Sequence, residues 1–219
     1  MNNDKKKYFS KYIDKIGIEN FEYTTINNNN FIKSTFFCGI DYTSTFGFES
    51  EQFKNLIDLL MIKVSKYEDY LNKDIIINDD AVGALLLVDK NFLHHHLLQI
   101  LSKNNIHLNL DEHWELIINN WTSQEFTSFN EKGDIWRKIF KLKKPIAKLV
   151  EKLPDKFIAY RAGDENGFSW TLSKEKALWF QNRFKEQFGV IPFFEKEYLR
   201  ENVLFYTNIR NEEEVVIVS

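Results

Sequence analysis

Residues 157–173 read FIAYRAGDENGFSWTLS, and residues 211–219 read NEEEVVIVS. Phe157–Tyr160 is a short apolar run that ends at Arg161. Gly167–Leu172 is a second extended segment, in which Ser169 and Thr171 alternate onto one face. Val190–Tyr198, Val203–Ile209 and Glu213–Val218 continue the same strand-like pattern of β-branched and aromatic residues. Only Ser173–Phe188 interrupts it: Ser173 suits a helix N-cap, and Ala177, Phe180 and Phe184 then fall on one helical face.

Upstream the pattern turns helical. From Leu110, the residues Trp114, Leu116, Ile117, Ile118 and Trp121 fill one stretch. Asn130–Asp134, with Gly133, reads as a turn. Ile135–Leu142 and Ile146–Leu153 read as two short helices around Pro145. Further back, Phe31–Phe48 suits short strands and turns about Gly39 and Gly47. Phe53, Ile57, Leu60, Met61 and Val64 recur at helical spacing behind Ser50. Ile75–Ile77 and Ala84–Val88 are short apolar runs, strand or buried helix. Phe92–Leu101 is a further helix. Asn27–Asn30 reads as a loop or a habit of composition. The expectation is an α+β chain: a mixed, mainly helical region over 1–109, then helices leading into a β-rich domain over 110–219.

Composition narrows the functions. Lys and Arg number 29 against 32 acids, so bulk charge does not coat nucleic acid. No apolar run reaches the roughly 18 residues of a membrane span, and Ala81–Val88 is the longest candidate. MNNDKKKYFS carries charge with no apolar stretch behind it, unlike a secretory signal. A soluble cytoplasmic chain without a membrane partner is the expectation. Cys38 is the single cysteine, so neither an internal disulfide nor a Cys-rich zinc site is available.

His94, His95 and His96 are consecutive, with His107 and His113 nearby. Adjacent helical residues point about 100° apart, so the three do not converge on one ion as an i, i+4 pair does. Interfacial or partly buried histidine is the favoured reading, and no metal is expected. No His or Cys follows His113, which excludes Ser-His and Cys-His nucleophiles from the β-rich part. Phosphate loops of the GxGxxG and GxxxxGK[ST] types are absent. Arg137–Lys148 (RKIFKLKKPIAK) holds six bases and no acid, either a solvated surface or a contact for an anionic partner. Glu212 and Glu214, two apart in a segment read as extended, would project from one side of a sheet.

Arg161 at the end of one strand, Ser169-Trp170-Thr171 on the next, and Glu212-Glu213-Glu214-Val215-Val216 before an apolar strand come in a set order. In that order they resemble the R-S-E class of ADP-ribosyltransferases. Tyr160-Arg161-Ala162-Gly163 matches the first motif, and Asn119–Gly133 looks like the family's helical lead-in. The resemblance covers about residues 110–219. GFSWTLSKEKALWF is further similar to a bacterial and phage subgroup found in toxin–antitoxin and anti-phage settings. Trp170 departs from the family's Ser-Thr-Ser pattern and alters the floor of the nicotinamide pocket. The Glu-x-Glu register rests on Val215 alone, and a shift by one would give Glu213 the catalytic role. The diphtheria-like class needs a histidine where Arg161 stands.

The resemblance implies a split β-sandwich holding NAD as co-substrate, with no metal. It makes Glu214 the carboxylate that meets the ribose 2′-hydroxyl and stabilises an oxocarbenium-like ribose. Glu212 would orient or deprotonate the acceptor, Arg161 would fork onto the pyrophosphate, and Ser169 would hold Glu214. Ala162, Gly163, Trp170, Thr171 and Phe180 complete the implied NAD site. The implied activity is mono-ADP-ribosyl transfer by a toxin or phage-defence effector to a macromolecule, RNA, DNA or protein. An antitoxin or chaperone is a further implied partner. An NAD glycohydrolase using the same cleft, and a non-catalytic binding module, are the alternatives.

Overall fold

The computed structural model describes residues 21–26, 29–41, 51–124, 130–183, 185 and 189–218. The chain divides into two compact units, residues 1–107 and 108–219. Among the described residues, no helix is long and apolar enough to cross a membrane.

In the first unit, β1 (Phe21–Ile26), β2 (Asn29–Ser34) and β3 (Phe37–Asp41) form an antiparallel meander. Asn29 and Asn30 thus open a strand instead of extending a loop, because Asn29 pairs with Ile26 across the hairpin. Asn27, Asn28 and Ser50 lie outside the described residues. Three helices follow: α1 (Glu51–Leu71), α2 (Asn78–Leu85) and α3 (Leu93–Leu101). Leu60, Val64, Tyr67 and Leu71 recur at intervals of three and four along α1 and are buried, as are Leu97 and Ile100 of α3. Ile76 resolves as a single parallel bridge to Ile106. The His96 Nδ1 lies 2.7 Å from the Tyr67 hydroxyl, and Phe36 packs on both rings.

The second unit begins with α4 (Leu110–Thr122), whose N-terminus is closed by a capping box: Asn109 Oδ1 accepts from the Glu112 amide and Glu112 Oε2 from the Asn109 amide. Next is α5 (Asn130–Phe140). Asn130–Asp134 is therefore helical, not a turn. Ile135, Trp136, Ile139 and Phe140 bury one face, and that burial outweighs the roughly 1 kcal/mol that Gly133 costs a helix. Of the helix expected over 146–153 only a 3-10 turn, Ala147–Leu149, forms.

Five antiparallel strands follow, with α6 (Lys174–Arg183) between the second and third: β4 (Lys156–Ala162), β5 (Ser169–Thr171), β6 (Phe193–Leu199), β7 (Val203–Thr207) and β8 (Glu214–Ile217). Their order in the sheet is β6-β4-β5-β8-β7. The Ser173 hydroxyl accepts from the Lys176 amide as the cap of α6. Phe184 lies outside the described residues.

The connection from β6 to β7 fixes the shape of the sheet. Leu199 sits beside Lys156 at one end of β4, whereas Val203 sits beside Ile217 on the opposite edge and at the other end. In a flat sheet those points would stand about 30 Å apart, from strand spacings of ~4.8 Å and rises of ~3.3 Å. Four Cα steps span at most ~15 Å. The sheet therefore curls until its edges meet, and Arg200 pins the corner by donating to the Leu153 and Asp155 carbonyls.

The concave face closes on Leu153, Phe157, Ala159, Trp170, Val203, Val215 and Ile217. Trp121, Trp136 and Phe140 from α4 and α5 pack with Phe168 and Phe205 in a second aromatic cluster. A register shift between Val203 and Phe205 lets one strand serve both clusters.

Burial, with His95 alongside, holds the His96 imidazolium at about 4 against an ordinary 6.5, and burial beside Lys143 does the same for His113. Between those values the unfolded chain binds a proton that the folded chain refuses, so stability is complete above pH ~6.5 and falls as pH drops toward 4. Each histidine is expected to contribute about 3 kcal/mol to that loss. Urea unfolding at pH 7 and 4.5 checks it: His96→Gln and His113→Gln should each flatten the pH dependence.

Candidate active site

The ladders place Tyr160, Thr171, Glu214 and Thr207 in one row across four strands. Thr171, Glu214 and Thr207 are all buried, so the row is a polar strip inside the domain. A buried carboxylate needs partners to offset its lost hydration. Glu214, 2% exposed, has two. Its Oε1 accepts from the Trp121 indole N–H at 2.9 Å, and its Oε2 from Arg210 Nη2 at 3.3 Å. The same Arg210 nitrogen lies 2.8 Å from Glu212 Oε2, while Nη1 donates to the Gln124 carbonyl at 3.3 Å.

Glu212 and Glu214 converge on one cation, but not through an extended segment. The strand begins only at Glu214, and Asn211 and Glu213 adopt left-handed backbone with φ of 57° and 49°. The tight reversal is held by the Glu213 amide donating to Asn208 Oδ1 and by the Thr171 hydroxyl donating to the Glu212 carbonyl at 2.6 Å. Left-handed backbone at non-glycine residues is strained and persists only where surrounding bonds impose it. Glu213 leaves the pair and meets Lys176 at 3.3 Å. Burial pushes the Glu212 carboxyl above its ordinary value, with Arg210 opposing and Glu214 reinforcing the rise.

Arg161 lies one residue beyond Tyr160 and so on the other face of β4, with Phe157 and Ala159. Its guanidinium turns back over the β4–β5 hairpin, donating from Nε to the Asp164 carbonyl and from Nη1 to the Ser169 carbonyl. Burial lowers the Arg161 pKa, while Asp164, Glu214 and Tyr198 oppose that fall. Gly167 makes room for it, since a Cβ there would overlap the Arg161 guanidinium. Ala162 ends β4, and Gly163, at φ 106°, turns the chain while its amide donates to the Pro192 carbonyl.

Of the other expected residues, Ser169 stands opposite Val216 and makes no hydrogen bond to Glu214 among the described residues. Trp170 belongs to the concave cluster, its indole donating to the Gly167 carbonyl and its ring packing on Tyr198. Phe180 is half-buried on α6 against Trp179. The structure thus gathers Thr171, Glu212 and Glu214, and sets Arg161 with Trp170 on the other side of the sheet.

Trp121, Gln124, Arg210 and Gly167 were not singled out for the site from the sequence. Arg210 was within reach, as the one base beside the Glu triplet. Trp121 was not, because its link to Glu214 spans 93 residues. No group of three His, Cys, Asp or Glu side chains is placed to hold a metal among the described residues.

Gly167→Ala is expected to drive the guanidinium from its seat and cost about 1–3 kcal/mol, the usual scale of overpacking. In an Arg161→Ala background the same change should cost markedly less, a non-additivity that urea denaturation of the four-member cycle measures. Compared with protein-family models, curated protein sequences and solved structures, the chain gives no match.

Proposed function

We propose that the second unit is an NAD-dependent mono-ADP-ribosyltransferase. The observation that carries the reading is the Glu212–Glu214 pair gathered on Arg210 at the head of β8, next to Thr171. Cleavage of the nicotinamide–ribose bond leaves positive charge on the ribose ring, and a fixed, water-poor carboxylate is the group that stabilises it. Glu214 fills that role. Glu212 is the more exposed of the two, and burial raises its proton affinity, so it suits proton acceptance from the incoming nucleophile. The curled five-stranded antiparallel sheet is compatible with the split sandwich that the sequence motifs imply.

The acceptor in this reading is a macromolecule. Lys138, Lys141, Lys143 and Lys144 are exposed at and beyond the end of α5, and Arg137 is paired with Asp134. That row of bases suits a phosphate backbone, which favours RNA or DNA over a protein acceptor. A toxin or phage-defence role belongs to the same proposal and rests on the sequence resemblance.

A second reading, a binding module without catalysis, draws on two observations. Glu214 is almost sealed, and Arg161 gives two of its donors to its own hairpin.

Purified protein with labelled NAD and a cell lysate separates these. Wild type should release nicotinamide and label macromolecules, and Glu214→Gln should lower release about 10³-fold. Nuclease removal of the label would identify nucleic acid, and protease removal a protein. Nicotinamide release without macromolecular label would establish a glycohydrolase. No release from folded wild type would leave the binding module.

A further inference from the structure

Resting on the reading of Glu214 as the charge-stabilising carboxylate, we propose that Trp121 and Arg210 are positioning residues that fix its direction. A carboxylate has two oxygens to orient, and each is taken by a different element. The indole N–H of α4 takes Oε1, and the guanidinium of the β7–β8 turn takes Oε2. One bond would leave the group free to swing about its own axis. Two, from donors on separate elements, define a plane.

Both donors are themselves held. The Trp121 ring is walled by Trp136 at 5.0 Å, Phe140 at 5.5 Å and Phe205 at 6.2 Å between centroids. Arg210 is anchored from its other nitrogen on the Gln124 carbonyl, and the Gln124 amide N–H in turn donates to the Trp121 carbonyl. The end of α4 therefore seats both donors at once. The left-handed turn through Asn211 and Glu213 folds Arg210 back over carboxylates two and four residues ahead of it. A guanidinium serves here because its nitrogens can address the Gln124 carbonyl and the carboxylates together, which a lysine ammonium does less well. Ser169, opposite Val216, does not share the task.

The test compares nicotinamide release by full-length wild type, Trp121→Phe, Arg210→Lys and Arg210→Met, alongside the Trp121 indole N–H resonance. Trp121→Phe keeps a ring among its aromatic neighbours and removes only the donor. It should lower kcat about tenfold to a hundredfold, the worth of one hydrogen bond to a charged group. KM should stay within about twofold, since the lost contact acts on the transition state. Arg210→Lys should recover part of what Arg210→Met loses. In Arg210→Met the acid limb of the pH profile should move to higher pH. Glu212 then loses the cation that opposes its burial and keeps Glu214 and Lys176 as its charged neighbours.

The indole signal, assigned by its absence in Trp121→Phe, should shift upfield in Glu214→Gln as its acceptor loses charge. Wild-type kcat and pH profile in both Trp121→Phe and Arg210→Met, with Glu214→Gln inactive, would overturn the proposal. Were wild type to release no nicotinamide, the functional reading would fall by itself. The indole signal would then decide the rest, an unmoved resonance in Glu214→Gln overturning the inference and a shifted one supporting the hold on the carboxylate.

Discussion

The hydrogen bond from the Trp121 indole to the Glu214 carboxylate is the contact on which the second unit turns. It is the place where the helical layer meets the sheet through a polar group instead of an apolar one. Glu214 lies in a row between Thr171 and Thr207, so its neighbours in that row are hydroxyls and not cations. A buried carboxylate in such a row is costly unless charge-assisted donors reach it. The indole arrives from α4 and the guanidinium from the adjacent turn, and the aromatic cluster around Trp121 keeps water from competing.

That contact also explains the order of elements. The indole reaches the strip because α4 carries Trp121 to the level of Glu214, and the Asn109–Glu112 box closes the other end of the same helix. Trp114, one face-repeat earlier, donates to the Lys144 carbonyl, so the connection after α5 is tied to the same helix. Two tryptophans of one helix thus bind the chain within the basic stretch, at Lys144, and well beyond it, at Glu214. The helical lead-in is part of the strip's architecture, not a separate appendage.

The strands were largely legible in the sequence because each carries a short β-branched or aromatic run, from Phe157–Tyr160 to Val215–Ile217. So were α1, α3 and α4, whose apolar residues repeat at helical spacing. Gly133 misled at α5, because a glycine reads locally as a breaker while the burial of Trp136 and Ile139 acts across the fold. Glu212 and Glu214 were recognisable as a pair, but alternation along a strand was the wrong reason. A left-handed turn brings them together, and nothing in three consecutive glutamates announces one. The facing of Arg161 was equally hidden: it depends on the register of β4 against β5, which pairs Tyr160 with Thr171 and so sends its neighbour to the other side.

The curl of the sheet has a bearing on how the molecule behaves in a crowd. A flat five-stranded sheet would expose two long rows of unpaired amides and carbonyls, each a template on which another chain could add a strand. Here the meeting of β6 and β7 at Arg200 shortens what either edge can offer. The outer strand β6 carries Glu195, Lys196 and Glu197, each ion-paired within the unit to Lys174, Glu165 and Lys156 respectively. An incoming strand would have to lie along this lattice of charges, and the edge that remains is a poor seed for self-association.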